Sequence, residues 1–321
     1  MNVNANANAK KPPIEHEVAV LMATYNGARY LLEQLESIEN QSFSNWKLWI
    51  RDDASTDDTR KILEGFQARL GSKKVSIDCN GYRLGYAKNF LTLVCSDSIA
   101  ADYFMFADQD DIWMADKVEV SIKAIRTAIP DQDTPVLYCG RTLYVDSDNV
   151  EIGMSPLFGE GSFSNALVQS LAGGNTMMLN HAAVRLLRSF GVVETVSHDW
   201  WAYTVISGAG GKIVYDSKPT IRYRQHPGCS IGENSSMGAR FMRLKKLIRG
   251  EWRSWVTLHV RSLRSMRSML SKESWYTLER FDEGRNAHLF ARIKLFSQAL
   301  VFRHTRLGQL SLLLALVLKK I

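Results

Sequence analysis

The sequence is poor in features that mark several common classes of protein. It has only four cysteines, and none of them belongs to a CxxC pair. Their wide spacing argues against a structural zinc site or a disulfide framework, so we expect buried or unreactive thiols. The apolar run 310–318 is nine residues long, which is too short to span the hydrocarbon core of a bilayer. We therefore expect it to form a helix that packs on the protein body or lies in a membrane interface.

Glycine-rich nucleotide-binding motifs are also missing. The segment MATYNGARY, 22–30, follows a predicted strand but lacks the GxGxxG pattern of dinucleotide-binding folds, and no Walker A motif occurs. The segment SGAGG, 207–211, lies between a predicted helix and a predicted strand and indicates a turn. A bound nucleotide would therefore lack a glycine cradle, and a metal ion would have to neutralise its phosphates.

The charge is distributed unevenly along the chain. Residues 1–239 carry 22 Lys and Arg against 28 Asp and Glu, whereas residues 240–321 carry 18 against 5. An anionic partner would therefore meet the C-terminal segment. The acidic part has no nucleic-acid-binding motif, so a nucleic-acid partner is not expected. Residues 1–14 are polar and repetitive and lack the apolar core of a signal peptide, which indicates a disordered leader and a cytoplasmic location.

Short apolar runs alternate with amphipathic segments from Glu17 onwards, which is the pattern of an α/β protein with a mostly parallel sheet. Three predicted strands end in polar clusters, at 24–26, 52–53 and 108–111. Because ligands bind outside the carboxyl ends of strands in such sheets, these clusters predict a single site. Further along, VLYCGRTLYVD, 136–146, predicts another strand.

From Phe241 the chain predicts helices with one apolar face and several basic faces. The apolar positions at helical spacing are Phe241, Leu244, Ile248, Trp252, Trp255, His259, Leu263, Met266 and Leu270. Three roles are open for these helices: contact with an anionic membrane surface, a homodimer interface, or packing on the rest of the protein.

The segment FADQDDIW, 106–113, places three carboxylates within four positions at the end of a predicted strand. Ionised carboxylates this close raise one another's pKa unless a positive group lies between them. A hard divalent ion at Asp108 and Asp110 would relieve the repulsion, with substrate phosphates completing its coordination. The alternative is a solvated acidic turn, with Asp111 as the N-cap of a helix that begins near Ile112.

Seven motifs occur in the order found in family 2 inverting glycosyltransferases of the GT-A fold: ATYNG, RDDAST, NGYRLGYAKNF, FADQDDIW, GGNTMML, HDWW and YRQHPGCSIG. Within that family the chain most resembles bacterial rhamnosyltransferases of surface polysaccharide synthesis, over about residues 17–233. The resemblance implies a GT-A catalytic domain at 15–235, whose mostly parallel central sheet is flanked by helices. The leader 1–14 would precede it, and a basic amphipathic helical extension, 236–321, would follow.

The resemblance also implies roles in binding the donor. The residues concerned are Thr24, Tyr25, Asn26, Asp53, Lys88, Asn89 and Asp108. Asp53 would accept from the N3–H group of a pyrimidine, beside the ring of Tyr25. The alternatives are loop packing for Tyr25 and a solvated helix charge for Lys88.

The ligands implied for a divalent ion, Mg²⁺ or Mn²⁺, are Asp108, Asp110 and His226. A lone histidine on a strand is also commonly structural, so both roles are open for His226. Asp199 in SHDWW lies where the family places its general base, which takes the proton of the acceptor hydroxyl. Because His198 stands in place of the usual acidic neighbour, Asp199 is the only carboxylate of this doublet.

Acceptor-binding roles are implied for three residues of the GGNTMML and HDWW motifs. Asn175 would bond sugar hydroxyls, and the indole faces of Trp200 and Trp201 would stack on a sugar ring. Packing in the protein core is the alternative role for the two tryptophans.

The implied reaction is transfer of L-rhamnose from dTDP-β-L-rhamnose to a saccharide in O-antigen or other surface polysaccharide biosynthesis. We expect the acceptor to be linked to a polyprenyl lipid, and the enzyme to bind peripherally at the inner face of the bacterial inner membrane. One alternative is a UDP-galactose or UDP-glucose donor, because contacts to a single hydroxyl decide such specificity. The other is a non-catalytic module that binds nucleotide sugars or polysaccharides.

Overall fold

The computed structural model forms two sheets from its described residues, which are 16–226 except 80, 130 and 132, and 249–321. The strands are β1 (Val18–Thr24), β2 (Trp46–Asp52), β3 (Val75–Cys79), β4 (Tyr103–Ala107), β5 (Ile112–Trp113), β6 (Val136–Gly140), β7 (Leu143–Val145), β8 (Glu151–Met154), β9 (Met178–Asn180), β10 (Lys212–Asp216) and β11 (Ile221–Arg224). The central sheet has seven strands in the order β10-β6-β9-β4-β1-β2-β3. The second sheet has four, in the order β5-β11-β7-β8.

Parallel pairing brings the three predicted polar clusters to one edge of the central sheet. β1 pairs in parallel with both β2 and β4, so that Thr24 lies opposite Asp52 and Met22 opposite Ala107. Among the described strands of this sheet, only β9 runs antiparallel to its neighbours. The prediction of a mostly parallel sheet with polar strand ends is therefore confirmed.

Side chains of β1 alternate between two apolar layers, because successive residues of a strand point to opposite faces. Ala19 and Leu21 belong to the core on one face of the sheet, whereas Val18, Val20 and Met22 belong to the core on the other. Both faces of β1 are therefore covered, which explains its continuous apolar sequence.

Two predictions about local structure are wrong. The segment 136–146 does not form one strand, because it divides into β6 of the central sheet and β7 of the second sheet. Ile112 does not begin a helix either. It pairs with Arg222 of β11 as part of β5, and the next helix begins at Lys117. Backbone N–H and C=O groups of β5 pair with those of β11 instead of forming hydrogen bonds within a helix.

The described helices cover the central sheet and build the C-terminal part of the chain. They are α1 (Leu31–Glu39), α2 (Thr59–Leu70), α3 (Tyr86–Cys95), α4 (Lys117–Ala128), α5 (Phe163–Ala166), α6 (His181–Phe190), α7 (His198–Gly208), α8 (Glu251–Ser265), α9 (Lys272–Asn286), α10 (Leu289–Ala299) and α11 (Arg306–Val317). Short 3₁₀ turns occupy Gly174–Thr176 and Arg267–Met269. The helices predicted to follow β1, β2 and β3 are confirmed as α1, α2 and α3.

The C-terminal helices share a core with the rest of the protein. In α8, the apolar side chains of Trp252, Val256, Val260 and Leu263 are buried. They belong to the same apolar cluster as residues of α5, α6 and α7. The predicted amphipathic helix is thus confirmed from residue 251, and its apolar stripe is used in packing. Its predicted start, 241–248, lies outside the described residues, and the domain boundary near 235 stays a prediction.

Candidate active site

Three aspartates follow β4 at the edge where β1 and β2 also end. Burial, with the charges of Asp110 and Asp199, raises the pKa of Asp108 to about 8. Burial and the charges of Asp110 and Asp108 likewise raise the pKa of Asp111 well above its ordinary value. The predicted repulsion between these carboxylates is therefore present, and a positively charged ligand would favour their ionised forms.

Asp111 fixes this loop from the protein interior. It is fully buried, and it accepts hydrogen bonds from Asn175 Nδ2 at 2.6 Å and from the backbone N–H of Arg224 at 3.2 Å. It is not the N-cap of a helix, because α4 begins only at Lys117. The predicted acceptor contact of Asn175 is also corrected, since this side chain is 3% exposed and its amide is bonded to Asp111.

Two of the three predicted metal ligands are in contact. His226 Nε2 lies 3.0 Å from Asp110 Oδ2, and the imidazole packs against the ring of Tyr30. Within the described ranges, no group of three or more His, Cys, Asp and Glu side chains is arranged to hold a metal ion. A carboxylate and an imidazole beside further crowded carboxylates nevertheless fit a divalent ion that completes its coordination with substrate phosphates. Metal ligation by Asp108, Asp110 and His226 stays a prediction.

The predicted base-binding side lies between the loops that follow β1, β2 and β3. The guanidinium of Arg83 lies 3.6 Å from the ring centroid of Tyr25, and its Nε lies 4.0 Å from Asp53 Oδ2. The Asp53 carboxylate accepts from the backbone N–H groups of Leu84 at 2.6 Å and Gly85 at 2.9 Å. Asp53 therefore anchors the loop that leads into α3, and its role in base binding stays a prediction.

Thr24 and Asn26 shape the first of these loops through hydrogen bonds within the protein. The side chain of Thr24 is 2% exposed and donates to Asp52 Oδ1 at 3.0 Å. The hydroxyl therefore has a structural role, and the predicted contact of Thr24 with the donor stays a prediction. Asn26 is exposed, adopts a φ of 47°, and accepts from the backbone N–H of Thr56 at 2.8 Å. Its donor contact stays a prediction.

Lys88 and Asn89 open helix α3 on the donor side. Lys88 Nζ lies 2.6 Å from Glu194 Oε1, in an exposed ion pair between α3 and the loop before α7. Its predicted contact with a diphosphate stays a prediction. Asn89 is fully buried and accepts from Arg51 Nε at 3.0 Å. This bond stabilises the packing of α3 on β2, and the predicted donor contact of Asn89 stays a prediction.

Asp199, the predicted base, lies in the first turn of α7 and is 7% exposed. One carboxylate oxygen accepts from the backbone N–H of Gly174 at 3.1 Å, and the other accepts from that of Trp200 at 2.6 Å. Burial and then the charges of Asp199 and Asp108 raise the pKa of Tyr86 to about 12. Asp199, Asp108 and the half-exposed Tyr86 therefore lie close enough to act on one another electrostatically.

His198 differs from its acidic counterpart in the family by being a buried neutral side chain. Its ring stacks on Phe90 at 4.0 Å between centroids and meets the edge of Phe106 at 4.6 Å. Burial lowers the pKa of His198 to about 4, although the charge of Asp199 acts in the opposite direction. Asp199 thus remains the only carboxylate at the start of α7.

The predicted stacking of Trp200 and Trp201 on a sugar is corrected by the structure. Trp200 is 6% exposed, packs against His259, and donates from Nε1 to the carbonyl of Ala166 at 2.7 Å. Trp201 is fully buried between Phe190 and His259. Both indoles therefore belong to the core, which was the alternative role.

Two supporting residues were missed in the sequence. Gln109 accepts from the backbone N–H of Tyr25 at 2.8 Å and donates to its carbonyl at 3.0 Å. Arg224 is 1% exposed, donates to the carbonyl of Asp110 at 3.1 Å, and pairs with Glu33 at 2.6 Å. The available signal was their position inside the FADQDDIW and YRQH motifs, where Gln109 lies between Asp108 and Asp110 and Arg224 lies two residues before His226.

Comparisons with known proteins identify the family and agree with the fold. A family model described as Glycosyl transferase family 2 matches residues 19–189. The dTDP-rhamnosyl transferase RfbG of Shigella flexneri is 31% identical over 72% of this chain and 80% of its own. The glucosyltransferase WfaP of Escherichia coli, named for UDP-Glc and α-D-GlcNAc-diphosphoundecaprenol, is 25% identical over 72% of this chain and 83% of its own.

A solved structure is similar in fold. The mannosyltransferase PcManGT from Pyrobaculum calidifontis, in complex with GDP-Man and Mn²⁺, has a TM-score of 0.53 at 16% identity, covering 89% of this chain and 74% of that one. The fold is thus that of a glycosyltransferase with the GT-A fold. The chain belongs to glycosyl transferase family 2. Among the described helices, none is long and apolar enough to cross a membrane.

Proposed function

We propose that this glycosyltransferase moves L-rhamnose from dTDP-β-L-rhamnose to a saccharide acceptor, with inversion at the anomeric carbon. The observation that carries this proposal is the position of Asp199. Its carboxylate acts electrostatically on Asp108 at the donor side and is oriented by the backbone N–H groups of Gly174 and Trp200. A base held in this way can serve direct displacement on the face opposite the leaving group.

In the proposed reaction, Asp199 takes the proton of an acceptor hydroxyl while its oxygen attacks the anomeric carbon. The bond between that carbon and the nucleotide diphosphate breaks as the new glycosidic bond forms, and the diphosphate leaves with the electron pair. A single carboxylate is sufficient for this step, which agrees with the neutral His198 beside it.

Asp110 and His226, with Asp108 beside them, are proposed to hold a divalent ion, Mg²⁺ or Mn²⁺. Such an ion supplies positive charge that stabilises a departing diphosphate. The support is the contact between His226 and Asp110 and the crowding of carboxylates at this edge, where burial and the charges of Asp110 and Asp199 raise the pKa of Asp108.

The proposed donor comes from the named relatives of this chain. Rhamnose is favoured because the relative RfbG is named a dTDP-rhamnosyl transferase and matches most of the chain. A UDP-glucose donor is the alternative, favoured by the similarity to WfaP. WfaP is also named for α-D-GlcNAc-diphosphoundecaprenol, a polyprenyl-linked sugar. We therefore propose a polyprenyl-linked saccharide as acceptor, with the enzyme at the inner face of the bacterial inner membrane.

A panel of nucleotide sugars tests the donor. Thermal unfolding should shift upwards with dTDP-rhamnose and Mg²⁺ together, because a ligand that binds only the folded state raises its stability. A shift with UDP-glucose alone would replace the proposed donor. Asp110→Asn should remove the metal-dependent shift and the transfer activity without lowering the stability of the ligand-free protein.

The variant Asp199→Asn separates an enzyme from a binding module. It should retain the thermal shift with donor and lose transfer by about 10²–10⁴-fold, the range for a general base. Transfer undiminished in this variant would contradict the role of Asp199. If the wild type binds a donor but transfers its sugar to no acceptor, the non-catalytic alternative is favoured.

A further inference from the structure

Helix α11 has an apolar face that no described part of the protein covers. Its exposed apolar side chains, with exposed fractions of 41–62%, are Leu307, Leu310, Leu313, Leu314 and Val317. Their spacing of three and four residues places them on one side of the helix. The opposite side carries Leu312, Ala315 and Leu316, which are buried against the protein. An apolar helix face of this length in contact with water calls for a partner.

Helix α10 and the turn after it add further exposed apolar side chains. Phe290 is 83% exposed, Ile293 51% and Leu300 73%. The two helices are held together, because the buried Arg292 donates to the carbonyl of Leu316 at 2.7 Å. We refer to these side chains of α10, Leu300 and α11 together as the C-terminal apolar face.

The charges around the C-terminal apolar face distinguish between possible partners. Residues 284–321 contain seven Lys and Arg and no Asp or Glu. Lys294, Arg306 and Lys319 are exposed beside the apolar side chains. A second copy of the chain would bring the same cations to the contact, and like charges would repel. An anionic lipid surface supplies the opposite charge together with apolar depth.

We infer that the C-terminal apolar face inserts into the interfacial layer of an anionic bilayer, with its basic residues on the lipid headgroups. This face differs from the stripe predicted in the sequence from Phe241 onwards. Three described members of that stripe, Trp252, His259 and Leu263, are buried on the inner side of α8. The inference rests on the proposed polyprenyl-linked acceptor for its purpose. Its structural support is independent of the donor and of Asp199.

Cosedimentation of the full-length protein with vesicles tests the inference, without donor, metal or acceptor. Wild type should bind phosphatidylcholine vesicles that contain phosphatidylglycerol and should bind pure phosphatidylcholine more weakly. The triple variant Phe290→Ser, Leu310→Ser, Leu314→Ser should bind about tenfold more weakly or worse, because binding scales with inserted apolar area. Lys319→Gln with Lys320→Gln should weaken binding about fivefold per residue, an effect that salt should mimic.

A matched control uses exposed apolar residues elsewhere. Val150 and Ile152 are 59% and 50% exposed around β8, and serine at both positions should leave vesicle binding unchanged. Undiminished binding by the triple variant would overturn the inference. The inference would also be overturned if the wild type did not bind vesicles and sedimentation velocity showed it to be a dimer that the triple substitution dissociates.

Transfer to a lipid-free saccharide separates this inference from the proposed reaction. The triple variant should retain wild-type transfer to that acceptor while losing vesicle binding. A wild type that binds vesicles but transfers no sugar would contradict the proposed reaction and leave the membrane surface standing.

Discussion

Replacing the buried His198 with leucine should remove much of the protein's loss of stability in mild acid. Burial between Phe90 and Phe106 lowers the pKa of His198 from 6.5 to about 4. Between these values the unfolded chain binds a proton that the folded protein excludes, so the free energy of unfolding falls as the pH falls. A shift of this size corresponds to about 3 kcal/mol over the window from about pH 6.5 to about pH 4.

Urea unfolding followed by tryptophan fluorescence, repeated from neutral pH down to the lower end of this window, measures the effect. The free energy of unfolding of His198→Leu, relative to that of the wild type, should rise progressively as the pH falls. His259 keeps a similar contribution in both proteins, since burial lowers its pKa to about 4 as well. His181→Leu, at an exposed position of α6, is the matched control and should not change the pH profile. Parallel curves for His198→Leu and wild type would refute the reasoning.

Two further substitutions test the surroundings of the proposed base. Gly174→Ala should lower the free energy of unfolding by about 1–3 kcal/mol and should also lower transfer, because the added Cβ would overlap His198 Nε2 and lie 3.4 Å from Asp199 Cβ. Unfolding curves measure the first effect and kcat the second, and an unchanged kcat would argue against tight positioning of Asp199. Trp200→Phe should cost about 1 kcal/mol through loss of the bond to Ala166, with kcat and acceptor KM unchanged; a raised acceptor KM would restore the stacking role.

The strand ends of the donor side were predictable because local patterns decide them. An apolar run that stops at a polar cluster places Asp53 and Asp108 at the same sheet edge once the strands are parallel. The contact of His226 with Asp110 followed from motif order alone, although 116 residues separate them. In each case the chemistry of the residue and its position at a strand end both predicted that it would lie at this edge of the sheet.

Burial of the remaining site residues was not predictable, because it depends on contacts between distant segments. Asn89 and Trp201 have side chains that suit a sugar site, yet Arg51 and His259 approach them from other elements and place them in the core. The division of 136–146 between two sheets has the same origin. Apolar periodicity in one segment does not reveal which other strand will pair with it.

The side chain of Gln109 has a consequence beyond its two hydrogen bonds. It bonds both the backbone N–H and the carbonyl of Tyr25, as a residue of a neighbouring strand would, and so continues the pairing of β1 and β4 past their ends. The loop that contains Tyr25 and the loop of aspartates are therefore tied together by this side chain. If the first loop binds the base and the second holds the cation, as proposed, a ligand that orders one loop should order the other, and the two binding events should be cooperative.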